Sequence, residues 1–199
     1  MAGRKQLCIW QSIFFEPVLV SPYEEDGKVN VYVVSDRPID EKASLQVRLM
    51  DFAGKVLWSK KIDHKVKALS SEIALSISKD ELAGAYYDPE KTFVSAKLVN
   101  EKGEVLSSND LYFKRPKDLK YSKSTIQTDL TKQGDHYVLK ITSSVLAPRV
   151  GVTFGDEHVW LSDNYIDVLP NEPLSISIKS QATLDQLKNT LKIKSLDQL

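Results

Sequence analysis

Hydrophobic and polar residues alternate along most of the chain with a period of two residues. Because successive side chains of a strand point to opposite faces of a sheet, this pattern predicts half-buried antiparallel strands with their apolar residues towards a core. Between residues 17 and 113 we expect about seven such strands, the number in an immunoglobulin-like sandwich. The clearest examples have their apolar residues at these positions: Val29, Val31 and Val33; Leu45, Val47 and Leu49; Ile73, Leu75 and Ile77; Val94, Ala96 and Leu98.

Two of the predicted hairpins have the same turn chemistry. When their sequences are aligned, Asp51 matches Asn100 and Gly54 matches Gly103. Asp and Asn suit the first position of a type I turn, and glycine supplies the positive φ that closes the turn with a β-bulge. We therefore expect two tight hairpins, each with a bulge next to its turn.

The first residues of the chain follow a helical rather than a strand pattern. Pro17 ends this pattern, because the residue before a proline is disfavoured in the α region. Residues 1–16 are therefore predicted to form a short helical or irregular leader, which either packs its apolar side on its own sandwich or is the last helix of a neighbouring domain. The apolar residues at helical spacing are Leu7, Trp10, Ile13 and Phe14.

A basic, proline-containing run at residues 114–120 separates two regions of strand pattern. This composition is typical of a solvated linker, so we place the domain boundary there, with one sandwich over residues 17–116 and a second, smaller one over residues 117–199. The second region contains at least six predicted strands. Its tail, after the N-cap candidate Thr183, fits a short helix or a turn followed by an edge strand around residues 191–193.

Residues 160–173 predict a sharp corner between strands. Residues 162–164 are Ser, Asp and Asn, whose short side chains hydrogen-bond nearby backbone groups, so the strand that begins at Trp160 is interrupted there. Apolar residues return up to Pro170, which ends the strand because it has no N–H to donate. The following Asn171 can take positive φ in a turn.

The charge balance argues against two classes of partner. Lys and Arg number 27, as do Asp and Glu, and no long basic block is present that would bind nucleic acid or an anionic membrane. The single cysteine, Cys8, cannot form an intramolecular disulfide. A signal peptide is not expected, because Gln11 interrupts the N-terminal apolar run and no small-residue cleavage site follows. No apolar segment has the length needed to span a bilayer.

The sequence lacks the signals of a catalytic or cofactor site. His64, His136 and His158 each lie beside a predicted turn, and no serine lies in a Gly-x-Ser-x-Gly elbow. There is no Gly-rich phosphate loop, Cys-x-x-Cys pair or His-x-x-x-His pair, so we expect no cofactor and no metal site. Cys8 lies among large apolar residues, which is typical of an inert buried thiol.

The corner holds the few candidates for binding. Asp163 and Asp167 could contribute oxygen ligands to a calcium ion, but a turn-forming role is favoured because backbone donors lie next to them. Trp58 alternates with Val56 in a predicted strand, which favours packing in the core. Exposed aromatic rings can stack on sugars. The candidates for carbohydrate binding are Trp160, Tyr165, Asp163 and Asn164.

Residues 162–172 resemble the signature near the C-terminus of the β-mannosidases of glycoside hydrolase family 2, which reads roughly Asp-Asn-aromatic-x-Asp-Leu-Leu-Pro-Gly-Glu. Asn171 stands where the family usually has glycine, a change that is compatible with the same left-handed turn. Residues 14–22 resemble the segment that leaves the catalytic barrel, and residues 191–196 resemble the closing residues. The resemblance therefore covers nearly the whole chain.

The resemblance implies the non-catalytic C-terminal part of a large enzyme. Members of the family are retaining exo-glycosidases that release β-linked mannose from the non-reducing end of oligosaccharides, with two glutamates on a (β/α)₈ barrel. This chain has no alternating βα pattern, so no position corresponds to either glutamate. The implied partner is that barrel, with residues 1–16 as a remnant of its last helix. Members of the family are often exported or lysosomal.

Two other classes of function remain open at this point. A free-standing carbohydrate-binding module would hold an oligosaccharide through Trp160 and Tyr165. A protein-interaction module would instead use the apolar side of the leader to dock on a partner chain. Neither class requires a reactive group, and the sequence by itself does not separate them from a part of a glycosidase.

Overall fold

The computed structural model describes residues 17–84, 87–155 and 158–198. The chain divides into two compact units, the first ending at Lys120 and the other including residues from Tyr121 onwards. Each unit is an antiparallel β-sandwich, so the predicted all-β tandem of immunoglobulin-like domains is confirmed. The predicted leader, with Cys8, lies outside the described residues.

The first sandwich has seven described strands and one short helix. They are β1 (Val18–Glu25), β2 (Lys28–Ser35), β3 (Glu41–Asp51), β4 (Val56–Val66), β5 (Ser70–Ser78), α1 (Lys79–Ala83), β6 (Thr92–Asn100) and β7 (Val105–Tyr112). Three strands form one sheet in the order β1-β2-β5, and four form the other in the order β4-β3-β6-β7. A 3₁₀ turn at Pro116–Asp118 follows β7.

The core of the first sandwich follows from the alternation of its strands. β3 directs Leu45, Val47 and Leu49 into the core, where each is fully buried, and β6 adds Leu98. Full burial of one such side chain contributes roughly 1.5–3 kcal/mol. Trp58 of β4 packs against the same core, as predicted.

Both predicted hairpin turns are confirmed. Gly54 and Gly103 have φ of +91° and +83°, and their N–H groups donate to the carbonyl oxygens of Asp51 and Asn100, each at 3.0 Å. The strand register shifts by one residue beside each turn, which is the expected bulge. The left-handed residue and the bulge together bring the two strands of each hairpin back into register.

One core-facing prediction is wrong. In the pairing of β2 with β5, Val31 lies opposite Leu75. The next residue of β2 lies opposite Ile73, which leaves Ala74 as an extra residue and forms a β-bulge. Ile73 therefore points away from the core and is 51% exposed. Alternation predicts the facing of a side chain only while the register is unbroken, so the sequence pattern does not reveal this change.

The second sandwich also has seven described strands. They are β8 (Ile126–Gln133), β9 (His136–Ser143), β10 (Ala147–Phe154), β11 (Trp160–Leu161), β12 (Ile166–Val168), β13 (Leu174–Lys179) and β14 (Leu191–Lys194), with helix α2 (Leu184–Thr190) before the last strand and a 3₁₀ turn (Leu196–Gln198) after it. One sheet has the order β11-β13-β9-β8 and the other β12-β10-β14. The core between them includes Leu139, Ile141, Val152 and Ile178.

The tail contains both a helix and an edge strand. Thr183 begins α2 with a capping box, in which its hydroxyl accepts from the Gln186 N–H at 3.3 Å and the Gln186 side chain accepts from the Thr183 N–H at 2.8 Å. Leu187 buries the apolar side of this helix in the second core. Neither helix in the described part of the chain has the length and hydropathy needed to cross a membrane.

Residues near the C-terminus hold the start of the second sandwich in place. The Asp197 carboxylate accepts hydrogen bonds from the backbone N–H and the hydroxyl of Ser124, at 2.6 and 3.1 Å. Gln198 donates to the Ser124 carbonyl at 3.1 Å, and the hydroxyls of Ser124 and Ser195 lie 3.1 Å apart. Both serines are buried, so these bonds satisfy polar groups that water does not reach.

His64 lies at an edge where the two sheets of the first sandwich meet. It belongs to β4, and its side chain is only 11% exposed. Its Nε2 is buried without a hydrogen-bond partner and lies 3.6 Å from Oε1 of Glu72 in β5. Burial lowers the pKa of His64, and this effect outweighs the opposing charge of Glu72, while Lys67 lowers it further. The fold therefore favours the neutral ring.

We expect His64 to make the first sandwich less stable at mildly acidic pH. Because burial holds the folded-state pKa of His64 below its ordinary value of 6.5, the unfolded chain takes up the proton first. The stability that the neutral ring contributes is present above that ordinary value and is lost as the pH falls through the folded-state pKa. Urea denaturation at about pH 7 and about pH 5 should show a smaller loss of unfolding free energy in His64→Gln than in the unaltered chain.

The exposed His158 provides the matched control for this measurement. His158→Gln removes a histidine of the second sandwich. For the unfolding of the first sandwich, this variant should show the same pH dependence as the unaltered chain. If His64→Gln and the unaltered chain lose the same free energy on acidification, the assignment to His64 is wrong.

Candidate functional site: the corner of the second sandwich

The corner predicted at residues 160–173 connects the two sheets of the second sandwich. β11 begins at Trp160 and pairs with β13 at the edge of the four-stranded sheet, whereas β12 pairs with β10 in the three-stranded sheet. Residues 162–165 therefore carry the chain from one sheet to the other. Such a crossing interrupts a ladder, and the backbone groups that lose a strand partner have to be satisfied locally.

The side chain of Asn164 takes the place of a missing rung in that ladder. Val150 of β10 lies opposite Ile166 of β12, so a continued strand would pair Val152 with Asn164. Instead, the Asn164 amide makes both bonds of the rung: Oδ1 accepts from the Val152 N–H at 2.8 Å, and Nδ2 donates to the Val152 carbonyl at 2.9 Å. Oδ1 also accepts from the Tyr165 N–H at 2.9 Å. The amide offers the same donor and acceptor as a peptide group.

Tyr165 packs its ring on a glycine of β10. A Cβ at Gly151 would lie 3.0 Å from Cε1 and 3.3 Å from Cδ1 of the ring, so glycine allows the close approach. Tyr165 itself has φ of +61°, and a side chain in this left-handed region costs roughly 1–2 kcal/mol. The Asn164 hydrogen bond and the ring contact hold it there. The Tyr165 ring is therefore a packing element of the corner.

Both aspartates of the corner accept hydrogen bonds from the backbone. Asp163 accepts from the Asn164 N–H at 2.7 Å, and Asp167 accepts from the Arg149 N–H at 2.6 Å. Arg149 has φ of +46° and lies in a bulge of β10, so Asp167 stabilises a second left-handed residue. Burial raises the pKa of Asp163, although the bond from Asn164 opposes the shift. Burial, with the charge of Asp167 adding to it, raises the pKa of Tyr121 to about 12.

Trp160 is the member of the candidate set with the most exposed side chain, at 54%. It lies opposite Lys179 of β13, whose Nζ is 5.3 Å from the ring centroid. A cation over an exposed indole contributes about 0.5–1 kcal/mol. The structure places Trp160 in the four-stranded sheet, whereas the Tyr165 ring lies on Gly151 in the three-stranded sheet. Asn164 and Tyr165 both contact β10, whereas Trp160 lies on β11 in the other sheet.

The described residues contain no metal-binding cluster and no hydrogen-bonded histidine–serine pair. In this part of the chain, no group of three or more His, Cys, Asp and Glu side chains is placed to hold a metal ion. Within the same residues, no histidine ring is hydrogen-bonded to a serine hydroxyl: the His136 ring contacts Asp135 at 3.1 Å, and His64 lies beside Glu72. The polar side chains of the corner are hydrogen-bonded to backbone groups.

Three residues that shape the corner are not singled out by the sequence. Gly151 has a usable signal, because an isolated glycine inside an apolar strand often marks a bulge or a close approach of another group. Arg149 and Lys179 have none. A left-handed arginine in a bulge and a lysine over an indole both depend on strand pairing, which the local sequence does not specify.

Two antiparallel sandwiches of seven described strands each define the protein as a tandem of immunoglobulin-like domains. Each of the two sandwiches matches a family of immunoglobulin-like domains. Residues 27–118 match the family described as the mannosidase Ig/CBM-like domain, and residues 121–199 match the family described as the Ig-fold domain. These matches confirm the resemblance carried by the corner motif.

Two β-mannosidases and an exo-chitosanase are among the proteins that are similar to this chain. The chain is 26% identical over 167 residues to a β-mannosidase of Capra hircus, covering 80% of this chain and 19% of that protein. The β-D-mannosidase of Dictyoglomus thermophilum has the same fold, with a TM-score of 0.81 at 24% identity over 92% of this chain and 22% of its own. The exo-chitosanase of Amycolatopsis orientalis gives 0.63 at 15% identity, over 90% and 25%. The chain thus spans about a fifth of the length of the mannosidases that it matches.

We expect Asn164→Ala to destabilise the second sandwich by about 2–4 kcal/mol, because it leaves two backbone groups of Val152 without partners. Urea denaturation of the purified chain measures the loss. The control is Ser162→Ala, which removes a single exposed bond to the Ser177 N–H and should cost less than about 1 kcal/mol. Equal losses in the two variants would show that the amide does not act as a rung.

Proposed function

We propose that this domain pair is the non-catalytic β-sandwich region of a β-mannosidase-type glycoside hydrolase, and that it braces the catalytic barrel of that enzyme. The observation that carries the proposal is the extent of the similarity. The two family matches together span nearly the whole chain, whereas each mannosidase relative is covered over only about a fifth of its length. The activity of such an enzyme would then reside in the part that this pair does not match.

The geometry of the corner supports a bracing role. A retaining glycosidase needs two carboxyl groups about 5 Å apart, one acting as acid and base and the other as nucleophile. Asp163 and Asp167 each use an oxygen to accept from a backbone N–H, and Asn164 and Tyr165 fix β10. The residues that carry the resemblance to β-mannosidases thus act on the fold itself.

The purified chain should release no nitrophenol from 4-nitrophenyl β-mannoside above the rate in buffer. A β-mannosidase assayed in parallel shows that the substrate and conditions are sound. Turnover that stays with this chain through successive purification steps would overturn the proposal, because the reactive carboxyl pair would then have to lie within these residues.

Bracing has its own test in the β-mannosidase that carries this pair. Asn164→Ala should lower the temperature at which that enzyme loses activity and leave the KM for the mannoside unchanged. The reason is that a less stable domain pair shortens the lifetime of the folded enzyme but does not change the contacts of the enzyme with the sugar. Ser162→Ala again serves as the control. A rise in KM at an unchanged inactivation temperature would indicate that the corner touches substrate.

A second candidate function is carbohydrate binding through Trp160, for which its 54% exposure on an edge strand is the specific observation. In this case Trp160 would stack on a sugar ring, while Asn164 and Tyr165 would anchor the segment that follows its strand to β10. This function is compatible with bracing, because one domain pair can both support a barrel and hold part of an oligosaccharide.

Titration of the chain with manno-oligosaccharides, followed by tryptophan fluorescence, tests this candidate. We expect a saturable change that Trp160→Ala abolishes and that Tyr165→Phe retains, since the phenylalanine ring still fits over Gly151. Binding that persists in Trp160→Ala, or no saturable change in the unaltered chain, would eliminate Trp160 as a sugar contact.

A further inference from the structure

The outer face of the three-stranded sheet in the first sandwich carries a strip of apolar side chains. In β2, Val31 and Val33 are buried in the core, so Tyr32 and Val34 point to the opposite face. The neighbouring strands place further apolar residues beside them. The apolar strip consists of Leu19 and Tyr23 of β1, Tyr32 and Val34 of β2, and Ile73 of β5.

Parts of the apolar strip are open to solvent. Tyr23 is 57% exposed and Ile73 is 51% exposed. Ile73 reaches this face only because the bulge at Ala74 turns β5 over, and bulges commonly serve to redirect a side chain. The bulge thus removes a large aliphatic residue from the core side and places it beside Tyr32. This arrangement adds nothing to the core of the sandwich.

An exposed leucine in the left-handed conformation immediately precedes β5, one of the strands that carry the apolar strip. Leu69, which precedes the last rung between β2 and β5, has φ of +48° and is 74% exposed. Its N–H donates to the Arg37 carbonyl at 3.0 Å, and the Ala68 N–H donates to Asp40 at 2.9 Å. These two bonds join the loop before β5 to the loop before β3, and the Leu69 side chain between them remains exposed to solvent. Strain of this kind is typically found at functional positions.

Polar groups on the same face as the apolar strip are hydrogen-bonded to one another. An apolar centre with a paired polar rim and exposed tyrosines is the composition of a protein–protein interface. Aliphatic side chains offer no hydrogen bonds to a sugar, so the strip fits a protein surface better than a glycan. The Tyr32 hydroxyl donates to Glu25 at 3.2 Å, and the Ser76 hydroxyl donates to Asn30 at 2.8 Å.

We propose that the apolar strip, with Leu69, is the surface through which this domain pair contacts the catalytic part of its glycosidase. This inference rests on the proposed function above. The choice of occupant follows from length: in the mannosidase relatives the pair accounts for about a fifth of one chain, so the remainder of that chain is the large protein surface nearest to it. The expected contact is an apolar, uncharged patch of that remainder.

Site-specific photo-crosslinking in the intact enzyme tests the proposal. A p-benzoylphenylalanine at position 73 should link to peptides of the catalytic part, identified by mass spectrometry. The matched control is position 105, because Val105 is 53% exposed and lies at the start of β7 in the other sheet. Position 105 should give no such link. Links from position 73 only to a second copy of this chain, or no more links than from position 105, would overturn the proposal.

A substitution pair separates this inference from the proposed function. Ile73→Lys should shorten the half-life of enzyme activity at elevated temperature by roughly threefold or more, while Val105→Lys leaves it unchanged. The melting temperature of this chain on its own should change little in either variant, since both positions face solvent. If Ile73→Lys has no effect but Asn164→Ala still lowers the inactivation temperature of the enzyme, the apolar strip is not the contact and bracing stands.

Discussion

The second sandwich depends on a side-chain amide that acts as a peptide group. Where the chain crosses from β11 to β12, the backbone cannot continue the ladder of β10, yet Val152 is buried and its N–H and carbonyl need partners. Asn164 supplies both. Aspartate would lack the donor and alanine would lack both groups, so the geometry of the crossing dictates the residue type.

At the other places where a strand turns or bends, the chain forms a β-bulge. Different residues stabilise the backbone at each of these bulges. The hairpin bulges use Gly54 and Gly103, which take positive φ without strain. The bulge of β10 uses Arg149, and here the Asp167 carboxylate stabilises the left-handed backbone. The bulge at Ala74 has a different consequence, because it reverses the facing of β5 and changes what the sheet presents to solvent. An extra residue in a strand thus closes the turn in the two hairpins, bends β10, and changes which residues of β5 are exposed to solvent.

The strands, hairpins and corner could be predicted from the sequence, because each depends on a local rule. The face of the sheet on which a side chain lies after a bulge could not be predicted. The core positions of β3 and the left-handed Gly54 follow from alternation and turn chemistry, and the structure confirms both. Ile73 violates the same alternation because strand pairing, not sequence, places the extra residue. At the corner, the break near Asn164 was predictable from its short polar side chain. Its partner Val152 was not, since the two meet only through the register of β10 and β12.

The structure gives the residues of the corner motif a common role in backbone geometry. Its residues are selected by backbone geometry: Asn164 completes a ladder, Tyr165 covers Gly151 and Asp167 holds Arg149. Asn171 illustrates the same logic, because it stands where the family pattern has glycine and adopts φ of +60°. Asparagine tolerates the left-handed region, so the turn is retained when the residue changes. The residues of the corner thus support a particular backbone conformation.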